Sequence, residues 1–140
     1  MTIEEFYAVV RRITDRAVRG GHPGAASIRH VVGECEFAEE DHMVSDRQYA
    51  HSLHVPNTVC WCKASLDLPE TNIMGIAAHE IAHVLRGEGL RKKDRDRDEA
   101  ATDFWALNHL GVEIDYDEKE VQFVRAFHDQ EYLKNMEDES

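Results

Sequence analysis

His79 and His83 stand four residues apart, with Glu80 directly after the first of them, in the string HEIAH. On an α-helix, residues at i and i+4 lie one turn apart on one side, so both imidazoles can be aimed at a single ion. Zinc accepts such a pair, and a carboxylate next to the first histidine falls beside the metal, where it can take a proton from zinc-activated water. A second pair of acids follows. Glu99 and Asp103, in the string EAATD, share a helix face at the same i, i+4 spacing. Glu99 could supply a third ligand, and Asp103 could accept the free ring N–H of one histidine and so fix its tautomer. Asp98, Asp103 and His109 are the other candidates for the third position. The remaining position would be left to water, as a catalytic zinc site requires.

The chain has nine histidines and 28 acidic residues among 140, so the five-residue string needs support from the elements that carry it. The segment Glu70 to Arg86 supplies it. Ile73, Ala77, Ile81, Val84 and Leu85 recur at helical spacing, no proline interrupts them, and Gly87 and Gly89 are stop signals. A second helix is expected over Arg97 to Leu110, ended by Gly111. A third should start at Asp117, where Asp117 and Glu120 make a capping-box pattern and Val121, Val124 and Phe127 form an inner face. An N-terminal helix over residues 3 to 19 is predicted by Thr2 with Glu5 and by the apolar series Ile3, Phe6, Val9, Val10, Ile13 and Ala17. Strands are expected over Ser27 to Phe37, around Tyr49 to Val55, and over Asn57 to Leu66 between two prolines. The fold class is therefore α+β, with residues 1–140 forming one domain whose tail frays from Asn135.

Composition removes several function classes. Sixteen basic against 28 acidic residues give a net charge of −12, which repels a nucleic-acid backbone. The one basic cluster, Arg91 to Arg97, is interleaved with Asp94, Asp96 and Asp98 and reads as a solvated loop. No apolar run is long enough to span a membrane, and the first residues do not resemble a secretory signal, so a cytoplasmic location is the expectation. Three cysteines, Cys35, Cys60 and Cys62, are expected to be reduced. Cys60 and Cys62 with His51 and His54 have the residue types of a structural zinc site, but thiols in line on a strand suit one poorly, and buried free thiols are the expected reading.

HEIAH followed by EAATDFWA resembles the gluzincin clan of zinc metallopeptidases, and among them the small minigluzincins and ImmA/IrrE-type peptidases. The resemblance covers about residues 57 to 110. It implies a zincin-like fold, a small and mostly antiparallel sheet packed on the active-site helix, a glutamate helix after it, and flanking terminal helices. It also implies Zn2+ held by His79, His83 and Glu99, Glu80 as general base, Asp103 behind a histidine, and Asn57 to Leu66 as the edge strand along which substrate pairs. The metzincin extension is excluded, because its glycine and third histidine fall on Arg86 and Gly89.

Hydrolysis of a peptide or protein substrate, in which Glu80 deprotonates zinc-bound water, is the leading expectation. The substrate could be one regulatory protein. A donor to the developing oxyanion is also needed, and His109, Tyr116, His54 or Tyr49 could provide it. The alternatives are a catalytically silent zinc-binding regulatory or interaction domain, and a structural domain without metal.

Overall fold

The computed structural model describes residues 1–33, 49–52, 56–86 and 95–129, with side chains from Glu99 onward in the last segment. Helix α1 spans Ile3–Arg19. Thr2 caps it, accepting from the Glu5 backbone N–H while the Glu5 carboxylate accepts from that of Thr2. Its apolar stripe, Phe6, Val9, Val10, Ile13 and Ala17, is buried. Strands β1 (Arg29–Val32), β2 (Ala50–His51) and β3 (Thr58–Trp61) form one small sheet. After a short 3-10 turn at Lys63–Asp67 comes α2 (Glu70–Arg86), then α3 (Arg95–Leu110) and a hairpin of β4 (Val112–Tyr116) and β5 (Gln122–Phe127). Among the described residues this makes three α-helices and two small sheets, a mixed architecture compatible with α+β.

Helix α2 is the centre of the molecule. Every residue from Asn72 to Val84 is buried, because α1, α3, the hairpin and the three-stranded sheet all pack on it. A helix covered on all sides can carry apolar residues on all sides, and its polar residues then require partners. Asn72 finds them in the Asp117 carboxylate, 3.2 Å from its amide nitrogen, and the Gln122 carbonyl at 3.4 Å. One turn on, a Cβ at Gly75 would lie 2.6 Å from the Phe123 Cα. Glycine is required there because β5 rests on the helix backbone itself. The other end of the hairpin is tied to α1 by Arg16, which donates to the carbonyls of Leu110 (2.8 Å), Gly111 (3.2 Å) and His128 (2.7 Å) and lies over the Phe127 ring.

The helix expected from Asp117 is instead the second half of this hairpin. Asp117 Oδ1 accepts from the backbone N–H groups of Lys119 and Val121, which closes a turn rather than opening a helix. Glu120 has a φ of 62°, outside right-handed helical space. Val121, at the end of the turn, and Val124, on β5, pack on the core, and no helix follows α3 among the described residues.

The sheet also differs from expectation. Strand β1 runs parallel to β3 and β2 antiparallel to it, so the sheet is mixed. The expected edge strand, Asn57 to Leu66, contributes β3, which lies between the other two and is already paired on both sides. A strand with two neighbours cannot accept an added one along the paired residues. The distal parts of the strands expected at Ser27 to Phe37 and Tyr49 to Val55, and the tail from Asn135, lie outside the described residues.

A partly buried polar chain joins α1 to the sheet. The Trp61 indole N–H donates to His30 Nδ1 at 3.1 Å, so the neutral ring carries its proton on Nε2 and donates to Thr14 Oγ1 at 3.0 Å. The Thr14 hydroxyl in turn donates to the Val10 carbonyl. All three groups are satisfied only with His30 neutral, and burial pulls its pKa down from 6.5 to about 4. Between those values the unfolded chain binds a proton that the folded chain refuses. Stability should therefore fall as pH drops through this window, by about 3 kcal/mol in total at about 1.4 kcal/mol per pH unit. Urea denaturation of wild type and His30→Gln across the window checks it: the variant should lack this component of the slope, and parallel profiles would contradict the network.

Candidate metal centre

Two helices build the site. On α2, His79, Glu80 and His83 are all buried, and each offers a ligand atom within 4.8 Å of the others. Helix α3 crosses α2 with its inner face formed by Thr102, Ala106 and Leu110, each fully buried. The crossing is fixed by Arg86, near the end of α2, which donates to Thr102 Oγ1 at 2.6 Å. Glu99 and Asp103, on the edge of that face, are thereby brought over the two histidines.

The four side chains interlock. His79 Nδ1 is 2.7 Å from Asp103 Oδ1, and its Nε2 is 2.7 Å from Glu99 Oε2. His83 Nε2 is 3.1 Å from Glu99 Oε1 and 3.0 Å from His79 Nε2. With Asp103 accepting the Nδ1 proton of His79, the neutral ring would direct its Nε2 lone pair at a carboxylate oxygen and at a second imidazole nitrogen. Three acceptors that converge in this way need positive charge among them, either added protons or a metal cation. Without a metal the proton is the available charge. Burial disfavours charge on His79, but the Asp103 and Glu99 carboxylates outweigh it and hold its pKa up at about 10. Burial would likewise raise Glu99, yet hydrogen bonds from the two imidazoles hold its carboxyl well below the usual range. A divalent cation answers the same electrostatic demand, and buried His79, Glu80 and His83 are able to hold one.

Glu80 faces a different environment. Burial raises its carboxyl above the ordinary value, against the pull of His79 and His83, and the Ser52 side chain, just past β2, hydrogen-bonds it. Sequence reasoning missed Ser52, since nothing in its own neighbourhood marks it. It also missed Arg86 and Thr102, although a threonine one residue before Asp103 on the inner helix face is a readable signal.

Of the other residues singled out from the sequence, Tyr116 lies at the site, where its hydroxyl donates to Asp103 Oδ2 at 2.6 Å. His109 lies elsewhere. It packs on Trp105, with ring centroids 4.5 Å apart, and meets His22 edge-on at 5.4 Å, because six residues of helix turn it away from Asp103. Tyr49 serves the sheet through its backbone carbonyl, which accepts from Cys62 N–H and Ser65 Oγ. Cys60 is buried opposite His51 on the paired strands, whereas Cys62 follows the end of β3 with its sulfur 3.7 Å from Ser65 Oγ. Both are free thiols. His54, Cys35 and the side chain of Asp98 lie outside the described residues. Among the described residues, His79, Glu80 and His83 are the one group of three or more such side chains able to hold a metal ion.

No helix among the described residues is long and apolar enough to cross a membrane. Compared with protein-family models, with curated proteins and with solved structures, the chain matches none.

Proposed function

We propose that the protein is a zinc-dependent peptidase with a zincin-like site. The observation that carries this reading is the convergence of His79 Nε2, His83 Nε2 and the Glu99 carboxylate at mutual separations of 2.7 to 3.1 Å, beside a buried Glu80. Donors arranged tetrahedrally about zinc at about 2.0–2.1 Å stand about 3.3 Å apart, close to these separations. His79, His83 and Glu99 would hold the ion. Bound there, zinc would lower the pKa of water and polarise a carbonyl.

The chain's own residues supply the rest. Asp103 keeps the His79 proton on Nδ1 and so leaves Nε2 free to ligate. Glu80, adjacent to His79 on the helix but outside the contacts that join the two imidazoles to Glu99, is the base: it takes a proton from the attacking water and returns it to the leaving amine. Its raised pKa suits both steps, since proton transfer is most effective when the carboxyl titrates nearer the working pH. Strand β2 leads directly to Ser52 beside Glu80. An extended substrate would therefore lie along the β2 side of the sheet, rather than along β3.

A second reading is a catalytically silent zinc-binding regulatory or interaction domain. The burial of Glu80 and its hydrogen bond to Ser52 favour it, because a base closed off from water performs no hydrolysis. One experiment separates the two. Zinc-loaded protein is incubated with a library of unstructured peptides and the products are followed by mass spectrometry. Cleavage that stops on chelation and returns with zinc is the expected result. Stoichiometric zinc without any cleavage would favour the silent domain, and a folded protein that cannot be loaded would contradict both.

A further inference from the structure

We infer that Tyr116 is a positioning residue for the metal centre, acting on His79 through Asp103; the inference builds on the zinc reading above. The phenol donates to Asp103 Oδ2 at 2.6 Å while Asp103 Oδ1 meets His79 Nδ1 at 2.7 Å. Both carboxylate oxygens are thus engaged, one on each side, and the carboxylate plane has no freedom to swing away from the imidazole. Gln122, the cross-strand partner of Tyr116 in the hairpin, lies beside it, and the hydroxyl hydrogen goes to Asp103, whose ionised carboxylate can only accept.

The backbone that presents Tyr116 is fixed independently of the site. Tyr116 ends β4, and the next residue, Asp117, closes the turn with the N–H groups of Lys119 and Val121 and receives Asn72 of α2. Gly75, one turn from both Asn72 and His79, lets β5 rest on that same helix. The hairpin therefore packs on the motif helix through both strands and on the second helix through β4, and Tyr116 adds its hydroxyl at the site. What it sets is the relative placement of His79 on α2 and Asp103 on α3. Groups bonded directly to a ligating histidine, as Asp103 is to His79, are worth roughly 10- to 100-fold in affinity, and Tyr116 acts one contact further out. A phenol proton committed to Asp103 is also unavailable to stabilise charge on a substrate, so Tyr116 acts on the centre and not on the reacting atoms.

The test compares zinc affinity, by competition with a chromophoric chelator, in wild type, Tyr116→Phe, Asp103→Ala and the double variant, alongside the thermal midpoint of each metal-free protein. Tyr116→Phe should weaken zinc about tenfold with the metal-free midpoint little changed. In the Asp103→Ala background the same substitution should change affinity less than about twofold, because the path through Asp103 is already cut. Wild-type affinity in Tyr116→Phe, or an equal loss with and without Asp103, would overturn the proposal. The His79 Nδ1 proton resonance of the metal-free protein gives a readout that does not depend on zinc. It should be protected from exchange in wild type and lose that protection in Tyr116→Phe; equal protection in both overturns the proposal even if the chain takes up no metal.

Discussion

Glu80→Gln should retain zinc with unchanged stoichiometry and lose peptide hydrolysis by about 10²–10⁴-fold, the usual contribution of a positioned general base. Glutamine matches glutamate in shape and can keep a hydrogen bond to Ser52, so the packing of α2 is preserved at this buried position. What it cannot do is accept and return a proton. The two imidazoles and Glu99 contact one another without Glu80, which is why metal binding should survive. A hundredfold loss corresponds to about 2.7 kcal/mol of transition-state stabilisation. Steady-state kinetics on any peptide found to be cleaved measures it, and turnover within a fewfold of wild type would remove Glu80 from the mechanism.

Zinc should also stabilise the fold, by about 4 kcal/mol when free zinc is about 1,000 times Kd. The reason is structural. Glu99 comes from α3 and both histidines from α2, so an ion on these three side chains ties together two helices that are also joined by His79 to Asp103 and by Arg86 to Thr102. It also supplies the positive charge that the converging acceptors require. His79→Ala should fold without zinc and show almost none of the increment. Chemical denaturation with and without zinc gives the comparison, and an equal zinc increment in wild type and variant would place the ion elsewhere.

The helices that carry the site were legible because their signals are local. Thr2 with Glu5 marks the start of α1, and the apolar spacing before HEIAH together with the glycines after it delimits α2 at Glu70–Arg86, the bounds expected. The i, i+4 spacing of Glu99 and Asp103 likewise survives as a shared face turned to the histidines. The hairpin was misread for an equally physical reason. Asp117 with Glu120 can begin a helix or close a turn, and what decides is a partner strand, Val112–Tyr116, whose alternation of Val112, Ile114 and Tyr116 with Glu113 and Asp115 is a period-2 signal that the helical reading passed over. The demand for glycine at 75 and the partners of Asn72 become visible only once β5 is seen resting on α2. The central position of β3 depends on pairing between segments far apart in sequence, which no local pattern reports.

The central claim is that one zinc ion is held by two imidazoles and a carboxylate, with no thiolate. Zinc K-edge X-ray absorption of the purified, zinc-loaded protein reads that directly. The account predicts one zinc per chain with a nitrogen and oxygen shell at about 2.0–2.1 Å and the multiple scattering of two histidine rings. A sulfur shell at about 2.3 Å would draw the metal to the cysteines and contradict the account, as would a folded protein that takes up no zinc at all.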